Sequence, residues 1–233
     1  ATCAYLGDLL GLEYIYQSIA VPEVRILVHN AMLESAMALS KKYGADLSAL
    51  QQHITDLLYR FTNAALRDTC QRVGGDPARK LSPEDRLIGS ASLALAQGMT
   101  PAYIAVGAAA GVHRYIKEAE ERIDAELAFA KAIQHSALPS VFPPYPNRKE
   151  FEIYATMHTA KEVGGDFYDF YKLNDTTVAF LAADVSGKGI PAAMFMMTAK
   201  TIIKDLAERG LAVNDIFTKA NEKLCENNES GMF

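Results

Sequence analysis

The sequence predicts a multi-domain chain: an all-α N-terminal domain, a connecting helix, and a partial α+β domain in which strands precede the helices that cover them. Three observations carry this reading. Residues 1 to about 116 keep helical spacing and never alternate Val, Ile and Thr as a strand would. Residues 117–137 are rich in charge with a narrow apolar stripe, and a proline-rich linker follows. Beyond the linker the period becomes two. The expected boundaries are 1–116 for the helical domain, 117–146 for the connecting helix and linker, and 147–233 for a truncated α+β domain. With 233 residues, 50% hydrophobic and 22% charged, the chain has material for one large core or two modest ones, and wholesale disorder is excluded.

In the first part, Pro22 and Glu23 suit a helix first turn, and Ile26, Met32, Leu33, Ala36, Met37 and Leu39 keep helical spacing up to Gly44, a natural stop. Leu47 to Phe61 repeats the pattern through Leu50, Ile54, Leu57 and Leu58. Ser82-Pro83-Glu84-Asp85 predicts a helix start, with a capping Ser, Pro at the first helical position and acids against the dipole. Thr100-Pro101 predicts another. The weakly charged run Gly89 to Val112 reads as buried helix. His29, His53 and His113 lie in helical patterns without partner ligands and read as structural.

In the connecting helix, Ile116, Ile123, Leu127, Ala130 and Ala137 fall on one stripe. Such a helix either packs on a neighbouring domain, with the sheet domain of the same chain the first expectation, or pairs with a second copy to make a homodimer. It ends at Pro139, and VFPPYP (Val141 to Pro146) is expected to be extended. Phe151 to Ala160 alternates as a strand, Asp166 to Lys172 is an aromatic-rich second strand, and Thr176 to Asp184 reads as a buried third. Pro191 opens a helix ending at Gly210, and a second runs over roughly Val213 to Glu226. Ser230 to Phe233 is expected to start a further strand.

Composition excludes some functions. A net charge of −5 argues against a sequence-independent nucleic-acid partner, which needs many cations against phosphate. No stretch approaches the ~18–20 apolar residues of a membrane span, so no membrane partner is expected. Cys3, Cys70 and Cys225 are widely spaced, form no CxxC pair, and suit reduced thiols in a cytoplasmic protein. The first residues carry neither a basic signal-peptide start nor an initiator Met, and the last stop without a cap. Both ends are expected to be cut.

The segment Glu162 to Met196 carries the chemistry. Two neighbouring strands, one starting at Asp166 and one ending at Asp184, would place carboxylates at one sheet edge among glycines. Hard divalent ions such as Mg²⁺ or Mn²⁺ want such oxygen ligands. On spacing alone, the same residues could merely cap turns. Lys188 could meet a phosphate or simply be solvated, and Asp169 reads as a strand residue facing solvent.

VGGDFYDF followed by ADVSGKGIPAAMFM, with Asp184 18 residues after Asp166, resembles the metal-dependent (PPM-type) protein serine/threonine phosphatases. The likeness is to the bacterial branch of stage II sporulation protein E and the sigma-factor regulatory phosphatases. It runs from about Ile123 to Phe233, and QHSALPSVFPP resembles the segment that precedes that catalytic domain. The resemblance implies an α/β-sandwich phosphatase using two Mn²⁺ or Mg²⁺ ions. Its substrate would be phosphoserine or phosphothreonine on a regulatory protein. It puts Asp184 at the metal-bridging position, the Val185 carbonyl at the backbone ligand and Asp166 at the acid of the first motif. The family draws further carboxylates from strands beyond the second helix, so this stretch is expected to form an incomplete site with little activity.

The first part resembles a different family. ATCAYLGDLLGLEYI, NAMLESAMALSKKYG and RFTNAALRDTCQRVGGDPARKLSPEDRLIGSASLALAQG are similar to the C-terminal helical domain of mannitol-1-phosphate 5-dehydrogenase and related long-chain polyol dehydrogenases. That family's chemistry needs an NAD-binding domain and a Lys-x5-Asn-x2-His motif, which would finish just before Ala1. No GxGxxG follows a strand here, so the alternative function is a fragment of an NAD-dependent oxidoreductase without its nucleotide domain. Arg72, Arg79, Lys80 and Arg86 form a basic cluster that either grips a sugar phosphate or pairs with Asp76, Glu84 and Asp85. By position in the family motif, Arg72 and Lys80 are the expected substrate contacts.

Overall fold

The computed structural model describes residues 1–226 and Asn228; the strand expected over Ser230 to Phe233 lies outside the described residues. The backbone forms two compact units, Ala1–Glu121 and Arg122–Phe233. The first is helical throughout: α1 (Thr2–Leu9), α2 (Ile15–Ala20), α3 (Pro22–Tyr43), α4 (Leu47–Phe61), α5 (Cys70–Gly74), α6 (Pro77–Lys80), α7 (Ile88–Ala96) and the start of α8 (Ala102–Ala137). The second holds the end of α8, a hairpin of β1 (Phe167–Asn174) and β2 (Thr177–Ala183), then α9 (Ile190–Glu208) and α10 (Val213–Cys225). An all-α region followed by a partial α+β region is therefore the architecture.

In the helical unit, α3 starts at Pro22 and ends at Gly44, whose φ of 68° is the left-handed stop that glycine supplies cheaply. Asp46 caps α4 by accepting from Ser48 N at 3.0 Å. Cys3, Ile15, Ile19, Val24, Val28, Ile54, Leu58 and Cys70 form its core. Cys3 and Cys70 are free and buried, and burial pushes the Cys3 thiol up to about 12. His29, His53 and His113 stand exposed on helix surfaces.

Two expectations fail in this unit. Ser82 to Asp85 forms turns, and α7 begins only at Ile88. The acid meant for the dipole is taken elsewhere: Asp85 accepts from Arg79 at 2.7 Å, and from Arg86 through both its backbone N at 2.6 Å and its Nε at 2.9 Å. The Gly89 to Val112 run breaks into α7 and α8 at Thr100-Pro101, as that helix start predicts, but it is not buried throughout. It buries Ala94, Ile104 and Ala110 but leaves Leu95 and Val112 exposed. The start of α8 is capped from a distance: the buried Glu34 carboxylate accepts from Tyr103 N at 3.0 Å and Ile104 N at 2.8 Å. Two of the orphan amides of a helix N-terminus are thereby satisfied by a charge of the favoured sign.

In the second unit, β1 and β2 pair antiparallel, with Phe167 opposite Ala183 and Tyr171 opposite Ala179. The helix α9 covers the hairpin. Phe167, Val185, Ala192, Met196 and Ala199 make one cluster with Leu138; Tyr171, Ile203, Leu206, Ile216 and Ala220 make a second. The strand β2 is not buried as expected, since one face meets α9 and the other is open, leaving Phe180 66% exposed. The first expected strand is also absent: Phe151 to Ala160 joins no ladder among the described residues. Its burial nonetheless alternates residue by residue, with Ile153 innermost. The alternation sets the sidedness of the segment, but a strand also requires a partner edge to bond to.

Candidate functional site

Antiparallel pairing decides where the two acids go. Asp166 is the residue before β1 and Asp184 the residue after β2, so the Phe167–Ala183 pair sets them side by side at one end of the hairpin. The carboxyl groups meet there. Partial desolvation, then the charge of Asp184, then a hydrogen bond between the two carboxyls hold Asp166 above the usual carboxylate range. Both side chains stand at the rim of a cavity of about 180 Å³, walled by Gly164, Gly165, Gly187 and Gly189, and Lys188 lines the same cavity.

Glycine is required at one point of that wall. A Cβ on Gly165 would overlap the carbonyl oxygen of Val185 and lie 3.0 Å from Val185 Cβ. The Val185 carbonyl is therefore pressed against the turn that delivers Asp166. Val185 itself is buried in the cluster below, which anchors the second loop. Asp166, Asp184, Val185 and Lys188 are thus brought together at one sheet end. Among the described residues, no third Asp, Glu, His or Cys joins the two acids in a metal-binding group. Two adjacent carboxyl groups beside a backbone carbonyl fit part of an oxygen-donor set for a hard divalent cation that keeps several waters.

Arg72 and Lys80 are placed differently. Arg72 is exposed and pairs with Asp68. Lys80 is buried, and its ammonium donates to the Val73 carbonyl at 2.7 Å and to the Gly75 carbonyl, closing the end of α5. Burial, with Arg86 and Arg79 nearby, lowers the Lys80 ammonium. The two cations spend their charge on different partners, and Arg79 bridges Asp76 and Asp85.

Asp169 is a correction. It does not face solvent: it is 5% exposed, and its Oδ2 lies 2.6 Å from Lys200 Nζ on α9. The signal was in the sequence, because period two puts residue 169 on the face of Phe167 and Tyr171, both buried. The sequence reading also passed over Gln134 and Glu34, polar residues on the inner faces of their helices.

Both parts of the chain have known counterparts. Residues 174–233 match stage II sporulation protein E; the stretch contains Asp184, Val185 and Lys188 and begins after Asp166. Residues 1–139 match the mannitol dehydrogenase C-terminal domain, and since this is more than half the chain, the chain belongs to that family. It is 45% identical over 112 residues to a mannitol-1-phosphate 5-dehydrogenase of Caldanaerobacter subterraneus subsp. tengcongensis, covering 48% of this chain and 29% of that protein. It is 41% identical over 111 residues to the enzyme of that name from Thermoanaerobacter pseudethanolicus, with coverage of 48% and 29%. With that of Clostridium acetobutylicum it shares 44% over 88 residues, covering 38% and 23%. The chain thus spans less than a third of the length of these curated relatives. No helix among the described residues is long and apolar enough to cross a membrane.

Proposed function

We propose that the chain carries part of a metal-dependent protein serine/threonine phosphatase of the sigma-factor regulatory type, fused to a polyol-dehydrogenase-like helical domain. The observation that supports it is the meeting of Asp166 and Asp184 at the rim of a glycine-walled cavity. Asp166, Asp184 and the Val185 carbonyl would hold Mn²⁺ or Mg²⁺, which supplies positive charge against phosphoryl oxygens and a more acidic water. Lys188, on the same cavity, would face the phosphate of a phosphoserine or phosphothreonine on a regulatory protein. The exposed face of α8 would pair with a second copy. With only two carboxylates at the site, metal binding is weak and turnover low.

Titration calorimetry with Mn²⁺ tests this on the 233-residue chain. Weak saturable binding is expected, lost in Asp184→Ala. Equal binding by both proteins would remove the assignment.

A second reading is supported by the 45% identity to a mannitol-1-phosphate 5-dehydrogenase: the helical unit as a fragment of an NAD-dependent oxidoreductase. Arg72 is then the better candidate for a sugar-phosphate contact, because Lys80 is committed to backbone carbonyls.

A further inference from the structure

Gln134 lies in the last turn of α8, between the exposed residues Ile133 and His135, and is itself only 2% exposed. Both polar ends of its amide go to one residue. Nε2 donates to the Gly164 carbonyl at 2.6 Å, and Oε1 accepts from Gly164 N at 3.2 Å. A side chain here does what a neighbouring strand would otherwise do, satisfying both backbone groups of a residue that joins no ladder. Gly164 is two residues before Asp166. The residue between them, Gly165, is held against the Val185 carbonyl with no space for a Cβ. Val163 and Val185, on either side of this contact, are buried. From Gln134 to Asp166, therefore, the backbone is fixed at each step, by a two-point amide clamp and then by a close backbone contact.

The geometry points to Gln134 as a positioning residue: it holds the Gly164–Gly165 turn so that the Asp166 carboxylate meets that of Asp184, and the last turn of α8 thereby sets how well the pair takes a divalent cation. The role rests on the two-carboxylate reading of the site. Gln134 touches neither acid and acts through Gly164. Outer-shell hydrogen bonds of this kind commonly change metal affinity by ~10–100-fold when removed. A glutamine serving only to fill space would show instead as lost stability with unchanged affinity.

The test uses the 233-residue chain with Gln134→Leu, which keeps the bulk and removes both bonds, and Gln134→Glu, which keeps the acceptor for Gly164 N–H and removes the donor. Asp184→Ala is the reference, and circular dichroism confirms folding at the working temperature. Calorimetric Mn²⁺ affinity should fall roughly tenfold or more in Gln134→Leu and by less in Gln134→Glu. Wild-type affinity in both folded variants would overturn the role of Gln134 while leaving the metal site standing. Binding that is absent from the wild type, or unchanged in Asp184→Ala, would instead remove the metal reading. A metal-free measurement decides the positioning claim in every case. The amide resonances of Gly187 and Gly189, which line the same cavity, should move in Gln134→Leu if the turn is displaced relative to Asp184. Superimposable resonances would refute it, and if Gln134→Leu does not fold, Gln134→Glu gives the same reading.

Discussion

Asp169 and Lys200 meet at 2.6 Å with 4% and 12% of their side chains exposed, and Asp169 Oδ1 also accepts from Phe170 N at 2.9 Å. A pair taken this far out of water gains little net stability over an apolar pair of the same shape, but breaking it is costly because one charge is stranded. Asp169→Ala should therefore cost about 3–5 kcal/mol in urea unfolding of the α+β unit, while the double variant Asp169→Asn with Lys200→Met, which strands no charge, should recover much of it. A loss below about 1 kcal/mol in the single variant would mean that water reaches the ammonium. The placement of Asp166 and Asp184 at one end of the hairpin was legible because they flank two neighbouring strands. Asp169 was legible only through strand period, which the aspartate's own preference for solvent obscured. Lys80 shows the reverse: its place in a basic cluster suggested a surface contact, and the nearby Val73 and Gly75 carbonyls drew it inward.

Among the elements, α8 departs most from its expected packing. The stripe of Ile116, Ile123, Leu127, Ala130 and Ala137 is expected from its spacing to bury against the sheet domain of the same chain. Ile116 is 50% and Ile123 53% exposed, while Leu127, Ala130 and Ala137 are half-buried. Only the end of that face is buried, at Gln134 and at Leu138 just beyond the helix. Spacing identifies the apolar face of a helix but not what covers it, and this is why the stripe was legible and its partner was not. If a second copy covers it, burying Ile123 and Leu127 is worth roughly 1.5–3 kcal/mol each. Ile123→Glu with Leu127→Glu should then lower the sedimentation mass from dimer to monomer, with helical content retained. A wild-type chain that sediments as a monomer at all concentrations would show the face to be solvated.

At the scale of the whole molecule, the division into helical and α+β parts could be read from the change of period after the proline-rich linker, and the helices with clear stops, α3 and α4, fall where expected. The helix predicted from Ser82 is replaced by turns in which two nearby arginines, Arg79 and Arg86, claim Asp85. Among the described residues, the glycine-rich turn from β2 into α9, through Gly187 and Gly189, leaves an antiparallel hairpin and does not open the parallel βαβ unit that holds a dinucleotide pyrophosphate. NADH added to the chain should accordingly give no saturable fluorescence change in the micromolar range; a clear one would revive the oxidoreductase reading. The segment Phe151 to Ala160 has a consequence of a different kind. Its side chains are already sorted into inner and outer sets, yet no ladder fixes where it stops along an edge. Any strand that pairs with it can shift by two residues and keep Ile153 inward, whereas a shift by one turns every inner side chain to water. The segment thus has the parity of its pairing written into it and the register left for its neighbour to choose.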